Sequence, residues 1–213
     1  MSALKPILRE LKQAALKGGV HARDRLHQLS DNMNDHLDAV VRQVRDADQF
    51  NNSIDVSLKR FKRNRNHDSA EYNRQYNEQM DTLQNMTVGD WLRNRIEYLE
   101  NGRTPDSLQA QRTARDSALN DKYDELRDEG LSPQEAQQAA ERWLATQAAT
   151  HRLDGIAGGD VTDVSGVGDS RINSSLGSQW RSRVGDIDSA VVGYVDANPG
   201  VDLDNVFINV VLR

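Results

Sequence analysis

His151 and Asp154 stand three positions apart, with Arg152 and Leu153 between them, and their side chains are complementary for hydrolysis. An imidazole takes a proton from water near neutral pH, and a carboxylate holds a hard cation such as Mg²⁺. Together they supply a general base and a Lewis-acid site, the pair that hydrolysis of a phosphodiester calls for. The spacing alone decides nothing, because His21 and Asp24 repeat it near the start of the chain in surroundings with nothing else to recommend them. What sets His151 and Asp154 apart is the stretch that follows. It reads Gly155-Ile156-Ala157-Gly158-Gly159-Asp160, then Gly166-Val167-Gly168-Asp169, then Arg171 to Trp180 with Asn173, Ser174 and Gln179 inside it. Glycines allow backbone to approach a ligand closely, and Asn, Ser and Gln are uncharged hydrogen-bonding groups. The span therefore reads as a polar, glycine-rich active-site loop.

The elements that must position this pair are mainly helical. Ser132 caps, Pro133 takes the first helical position and Glu135 completes a capping box. Ala136, Ala140, Trp143, Leu144 and Ala148 then predict a helix reaching about Thr150. That would put His151 at the last turn, sharing a face with Asp154. Upstream, Thr87 caps a helix whose buried face is Trp91, Leu92, Ile96 and Leu99 and which Asn101-Gly102 closes. Thr104-Pro105 opens the next, through Leu108, Leu119, Tyr123 and Leu126 to Gly130. Glu71, Gln75 and Gln79 recur every four residues beside Arg74, as either a wet helix surface or an active-site wall. Trp143 and Trp180 are expected in the core.

The ends differ from the middle. Leu4, Ile7, Leu8 and Leu11 predict one helix, and Leu26, Leu29, Met33, Leu37, Val40 and Val44 predict a long one over 20–49 with a narrow apolar seam. The seam packs on its own domain or docks a delivery module or partner helix. At the other end, Ala190–Val195 and Asn205–Leu212 are β-prone and separated by a turn-rich Asp-Ala-Asn-Pro-Gly, the pattern of a small C-terminal β-hairpin. The expected organisation is an N-terminal helical extension over 1–55 and a main domain over 56–213, mainly α.

Composition narrows the chemistry. The 213 residues include no cysteine, which excludes disulfides, thiolate metal sites and a cysteine nucleophile. No apolar run approaches the length of a membrane span, and Lys5, Arg9, Glu10 and Lys12 interrupt any signal-peptide core. Export would then use a leaderless route. A net charge of −6 repels a phosphate backbone unless positive charge is concentrated locally. Leu58 to Arg65 offers such a cluster: five cations, no acid, and Phe61 as a surface for stacking a base. Lys59 and Arg60 are accordingly candidate phosphate contacts.

The run His151-Arg152-Leu153-Asp154, followed by Ile-Ala-Gly-Gly and then Asn-Ser-Ser-Leu-Gly-Ser-Gln-Trp, resembles the signature of the polymorphic toxin type fifteen family. Glu71-Tyr72-x-Arg74-Gln75 with Gln79, and Trp91-Leu92-x-Asn94-Arg95, resemble that family's first block, so the likeness covers about Asp68 to Arg183. It implies a mostly helical toxin domain of effectors delivered by type VI secretion and related systems. Such a toxin degrades DNA in the cytoplasm of competing bacteria and is neutralised by a cognate immunity protein. By position it implies His151 as base, Asp154 as metal ligand or acid partner, and Arg74, Gln75, Asn173 and Gln179 as phosphate-contacting or supporting groups. Asp160 is a further candidate metal ligand. The expected activity is a Mg²⁺-dependent DNA endonuclease; an RNase using the same pair and a non-catalytic helical adaptor are the alternatives.

Overall fold

A computed structural model of the chain describes residues 52–213; the expected helices before residue 50, with their apolar seam, lie outside the described residues. Among the described residues there are four strands and six α-helices, so the fold is mainly α. In chain order they are β1 (Ser53–Leu58), α1 (Ser69–Gln84), α2 (Val88–Asn101), α3 (Pro105–Asp128) and α4 (Pro133–Leu144). After these come β2 (Gln147–His151), a 3₁₀ turn (Gly155–Ala157), β3 (Val164–Asp169), α5 (Ser170–Trp180), α6 (Val184–Ala197), a second 3₁₀ turn (Leu203–Asn205) and β4 (Phe207–Leu212).

Local chemistry starts the helices where expected. Thr87, Thr104 and Ser132 each accept a backbone N–H of the first turn, and Glu135 reaches back to complete the capping box. Asp68 and Asp169 cap α1 and α5 in the same way. Each cap satisfies an N–H that the helix itself leaves without a partner.

In β1 the alternation Ser-Ile-Asp-Val-Ser-Leu buries Ile54, Val56 and Leu58 and exposes the residues between. β1 runs across the expected boundary at residue 55 and pairs in parallel with β4, Ser53 opposite Phe207 through Leu58 opposite Leu212. The first and last described elements thus close on each other. The main core lies between this pair and the helices, with Leu83, Trp91, Leu92, Ile96, Trp180, Ile187 and Val191 fully or almost fully buried. A buried ion pair, Arg95 Nε to Asp188 Oδ1 at 3.0 Å, pins α2 to α6. α3 and α4 form an antiparallel arm with its own small cluster, Leu126, Ala136 and Ala140.

Three expectations are corrected. The capping-box helix ends at Leu144, and Gln147–His151 is a strand paired antiparallel with Val164–Asp169. Strand pairing overrides the helical preference of Ala148 and Ala149, a tertiary effect invisible in local propensity. The C-terminal hairpin does not form. Its first half is helix α6, because Val184, Ile187, Asp188 and Val191 are spaced to bury one helical face. Its second half, β4, pairs with β1 instead. The glycine-rich loop resolves into the 3₁₀ turn, β3 and helix α5, whose Ile172, Leu176 and Trp180 recur every four residues and are buried. Leu108, in the first turn of α3, is 42% exposed.

Candidate active site

β2 ends in a bulge: Thr150 pairs with Gly166 and His151 with Val164, leaving Ser165 as the extra residue. Immediately afterwards Leu153 is buried in the main core, which anchors the segment between His151 and Asp154. His151 Nε2 lies 3.1 Å from the carbonyl oxygen of Val161. A carbonyl only accepts, so Nε2 carries the proton in this contact and Nδ1 of the neutral ring is left as the acceptor.

Asp154 caps the 3₁₀ turn, its Oδ1 accepting from Ile156 N–H at 2.9 Å. The turn is held from α2, whose Trp91 Nε1 donates to the Ala157 carbonyl at 2.7 Å. Gly158 follows with φ of 96°, and a Cβ there would stand 2.4 Å from Trp91 Nε1. The glycine therefore serves close packing of the protein on itself rather than approach of a ligand. On the other side of Asp154, a Cβ on Gly177 of α5 would come within 2.9 Å of Oδ2. A glycine at that helical position leaves the carboxylate its place.

His151, Asp154 and Asn173 line one cavity of about 330 Å³. Its remaining polar walls come from Gln79 of α1, Tyr98 of α2, Gln147 of β2 and the set Arg103, Ser107, Gln111 and Arg115 at the start of α3. Of the stretch Glu71, Gln75 and Gln79 it is Gln79 that borders the cavity, where it accepts from Trp180 Nε1 at 2.6 Å, and Trp180 is core as expected. The residues of α3 were not among the candidates. Their spacing of four is the signal in the sequence, overlaid by the apolar positions Leu108 and Leu119 of the same stretch. A wider groove of about 670 Å³ between α3 and β3, bordered by Trp143, contains no imidazole.

The other candidates lie elsewhere. Arg74 and Gln75 both hold Glu71: Arg74 Nε and Nη2 donate at 2.8 and 2.7 Å, and Gln75 Nε2 donates at 2.7 Å. Gln75 also donates to the Asp169 carbonyl, and Glu71 Oε1 accepts from Asp169 N–H, so this cluster locks α1 to β3. Burial alone would push the Glu71 carboxyl up, but hydrogen bonds from Arg74 and Gln75 and the Arg74 charge outweigh it, and the carboxyl sits below its ordinary range. Gln179 pairs with the backbone of Lys62, accepting its N–H at 2.8 Å and donating to its carbonyl at 3.1 Å. Lys59 and Arg60 are exposed, and their carbonyls accept from Arg183 at 2.7 and 2.6 Å. The basic run does not border the cavity, and Phe61 in it packs against Tyr76 and Trp180 with Arg183 over its ring. It has no free face on that side for a base.

Asp160 is exposed and its Oδ1 accepts from both N–H and Oγ1 of Thr162, each at 2.7 Å; it does not line the cavity with Asp154. Among the described residues no cluster of three or more His, Cys, Asp or Glu side chains forms a metal cage. Asp154 is the one carboxylate that lines the cavity, and a Mg²⁺-type ion held there would need waters and substrate oxygens to complete its shell.

No helix of the described residues is long and apolar enough to cross a membrane. The family model described as novel toxin 15 matches residues 66–205. None of the curated proteins matches the chain.

Proposed function

The chain belongs to the novel toxin 15 family, and from that premise we propose that this polymorphic toxin is a Mg²⁺-dependent DNA endonuclease. The observation that carries the reading is the convergence of His151 and Asp154 on one cavity, with Asn173 beside them. Delivery by a secretion system into a competing cell, and neutralisation by an immunity protein, belong to the same proposal.

In this reading His151 is the general base. With its proton held at Nε2 by the Val161 carbonyl, Nδ1 takes the proton from the attacking water. Asp154 keeps Oδ1 on the turn and offers Oδ2 to the cation. When bound, Mg²⁺ would polarise the phosphoryl oxygen and offset the charge that develops on it. Asn173 supplies a neutral donor to the substrate. The Val161 carbonyl orients the imidazole, and the core anchor at Leu153 keeps the base and the carboxylate from drifting apart.

The test is incubation of the purified protein with plasmid DNA and with total RNA, each with Mg²⁺ and with EDTA. His151→Ala and Asp154→Ala proteins, checked for fold by circular dichroism, run alongside. The expected result is Mg²⁺-dependent loss of DNA that falls by a factor of about 10² to 10⁴ in the folded His151→Ala protein. Cleavage of RNA with DNA untouched would move the same site to the RNase reading. Activity that survives both substitutions would overturn it.

A further inference from the structure

The first turn of α3 buries a serine and exposes a leucine. Ser107 is 0% exposed while the neighbouring Leu108 is 42% exposed. The residues that α3 directs to the cavity are Ser107, Gln111 and Arg115, each four positions from the last and so on one line of the helix, and Arg103, just ahead of the Thr104 cap, extends that line. Gln111 Nε2 donates to Ser107 Oγ at 3.2 Å, which fixes the middle of the line. Ser107, the buried member of the line, is satisfied by that hydrogen bond.

The two ends of the line are positive and unneutralised. Arg74, Arg93, Arg95, Arg152, Arg171 and Arg213 are all paired with carboxylates. Arg115 is held instead by two carbonyls, Gln147 at 2.7 Å and Leu144 at 3.4 Å, which orient its guanidinium without cancelling its charge. Arg103 is exposed and, among the described residues, has no hydrogen bond or ion pair. Against these two guanidiniums the cavity holds one carboxylate, Asp154. A chain of net charge −6 thus carries local positive charge at the place where its candidate base stands.

Resting on the nuclease reading above, we propose that this line is the phosphate-binding arm of the site: Arg115 is the fixed cation, Arg103 the mobile one, and Gln111 a neutral donor between them. The arm binds the phosphodiester backbone of a nucleic-acid strand beside His151 and Asp154. It reads charge and not sequence, because a phosphate contact carries no base information.

The test measures binding, not cleavage. The full chain carrying His151→Ala is titrated into a fluorescein-labelled single-stranded DNA oligonucleotide in EDTA, with anisotropy read at several salt concentrations. Adding Arg103→Ala is expected to weaken binding about tenfold and to reduce the salt slope by about 0.7. Arg103→Lys, which keeps the point charge, should recover most of both. Arg115→Lys loses the planar fork and should weaken binding without changing the salt slope. Inorganic phosphate should compete with the oligonucleotide in the parent and compete less in the Arg103→Ala protein. If the parent binds the oligonucleotide and Arg103→Ala alters neither affinity nor slope, the arm is wrong while the nuclease reading stands. If the parent binds no oligonucleotide, the arm is wrong, the nuclease reading is decided by the cleavage assay alone, and an acidic protein surface becomes the next ligand to try on the same cations.

Discussion

The contact between Gly177 and Asp154 bears directly on the candidate carboxylate at the level of single residues. A methyl group on Gly177 would press on Oδ2 at 2.9 Å, and the carboxylate, capping a three-residue turn, must rotate or shift to relieve it. Gly177→Ala should therefore lower nuclease activity at least tenfold, since small misplacement of a reacting group is costly. Alanine is also the better helix former by roughly 1 kcal/mol, so the melting temperature should change by only a few degrees; turnover on plasmid DNA and a thermal melt separate the two effects. Of the residues that the family likeness marked, His151, Asp154 and Asn173 border the cavity, whereas Arg74, Gln75 and Gln179 tie backbone segments together. A motif marks positions that matter without distinguishing a group that meets substrate from one that holds the fold.

Among the elements, α5 has a start that is sensitive to acid. Asp169 caps it, and the hydrogen bond from the Arg171 guanidinium, with N–H groups of Ile172 and Arg171, holds its carboxyl at about 2 against burial that pushes the other way. The folded pKa is below the ordinary value of 3.8, so this contribution to stability is complete above about pH 4 and is lost as pH falls towards 2. Asp169→Asn keeps a capping oxygen but removes the titration. Its urea midpoint should fall less between pH 4 and pH 2 than that of the parent, and an equal fall in both would contradict this account. The starts of α2, α3 and α4 were legible because capping is local: one side chain meets an N–H three residues on. The end of α4 was not, because Gln147–His151 leaves the helix for a partner that lies beyond the Asp154 turn.

In the molecule as a whole, two long-range connections do most of the closing. β1 and β4 pair although more than 140 residues separate them, and the Arg95–Asp188 pair joins α2 to α6 with both side chains 7% exposed. Removing one member of a buried ion pair leaves the other charge without compensation, at a cost of about 3–5 kcal/mol. Asp188→Ala should lower unfolding free energy by about that amount in urea titrations, with cleavage per folded molecule unchanged because neither residue borders the cavity. A loss under 1 kcal/mol would mean that solvent reaches the pair.

The sequence by itself determined the chemistry on offer and the local grammar that presents it. No cysteine is available, the His–Asp pair stands in its polar surroundings, and caps begin helices at Thr87, Thr104 and Ser132. These depend on residue type and on neighbours within a turn. Only the tertiary structure decided that His151 ends a strand, that 184–197 is helical, and that the C-terminal strand pairs with Ser53–Leu58. Only it brought Arg103, just ahead of α3, and Arg115 within α3 to the same cavity as His151, while leaving the basic run at Lys59 and Arg60 away from it. Strand pairing and the facing of a helix are set by the burial that distant segments offer one another, and that burial does not exist until the chain has folded.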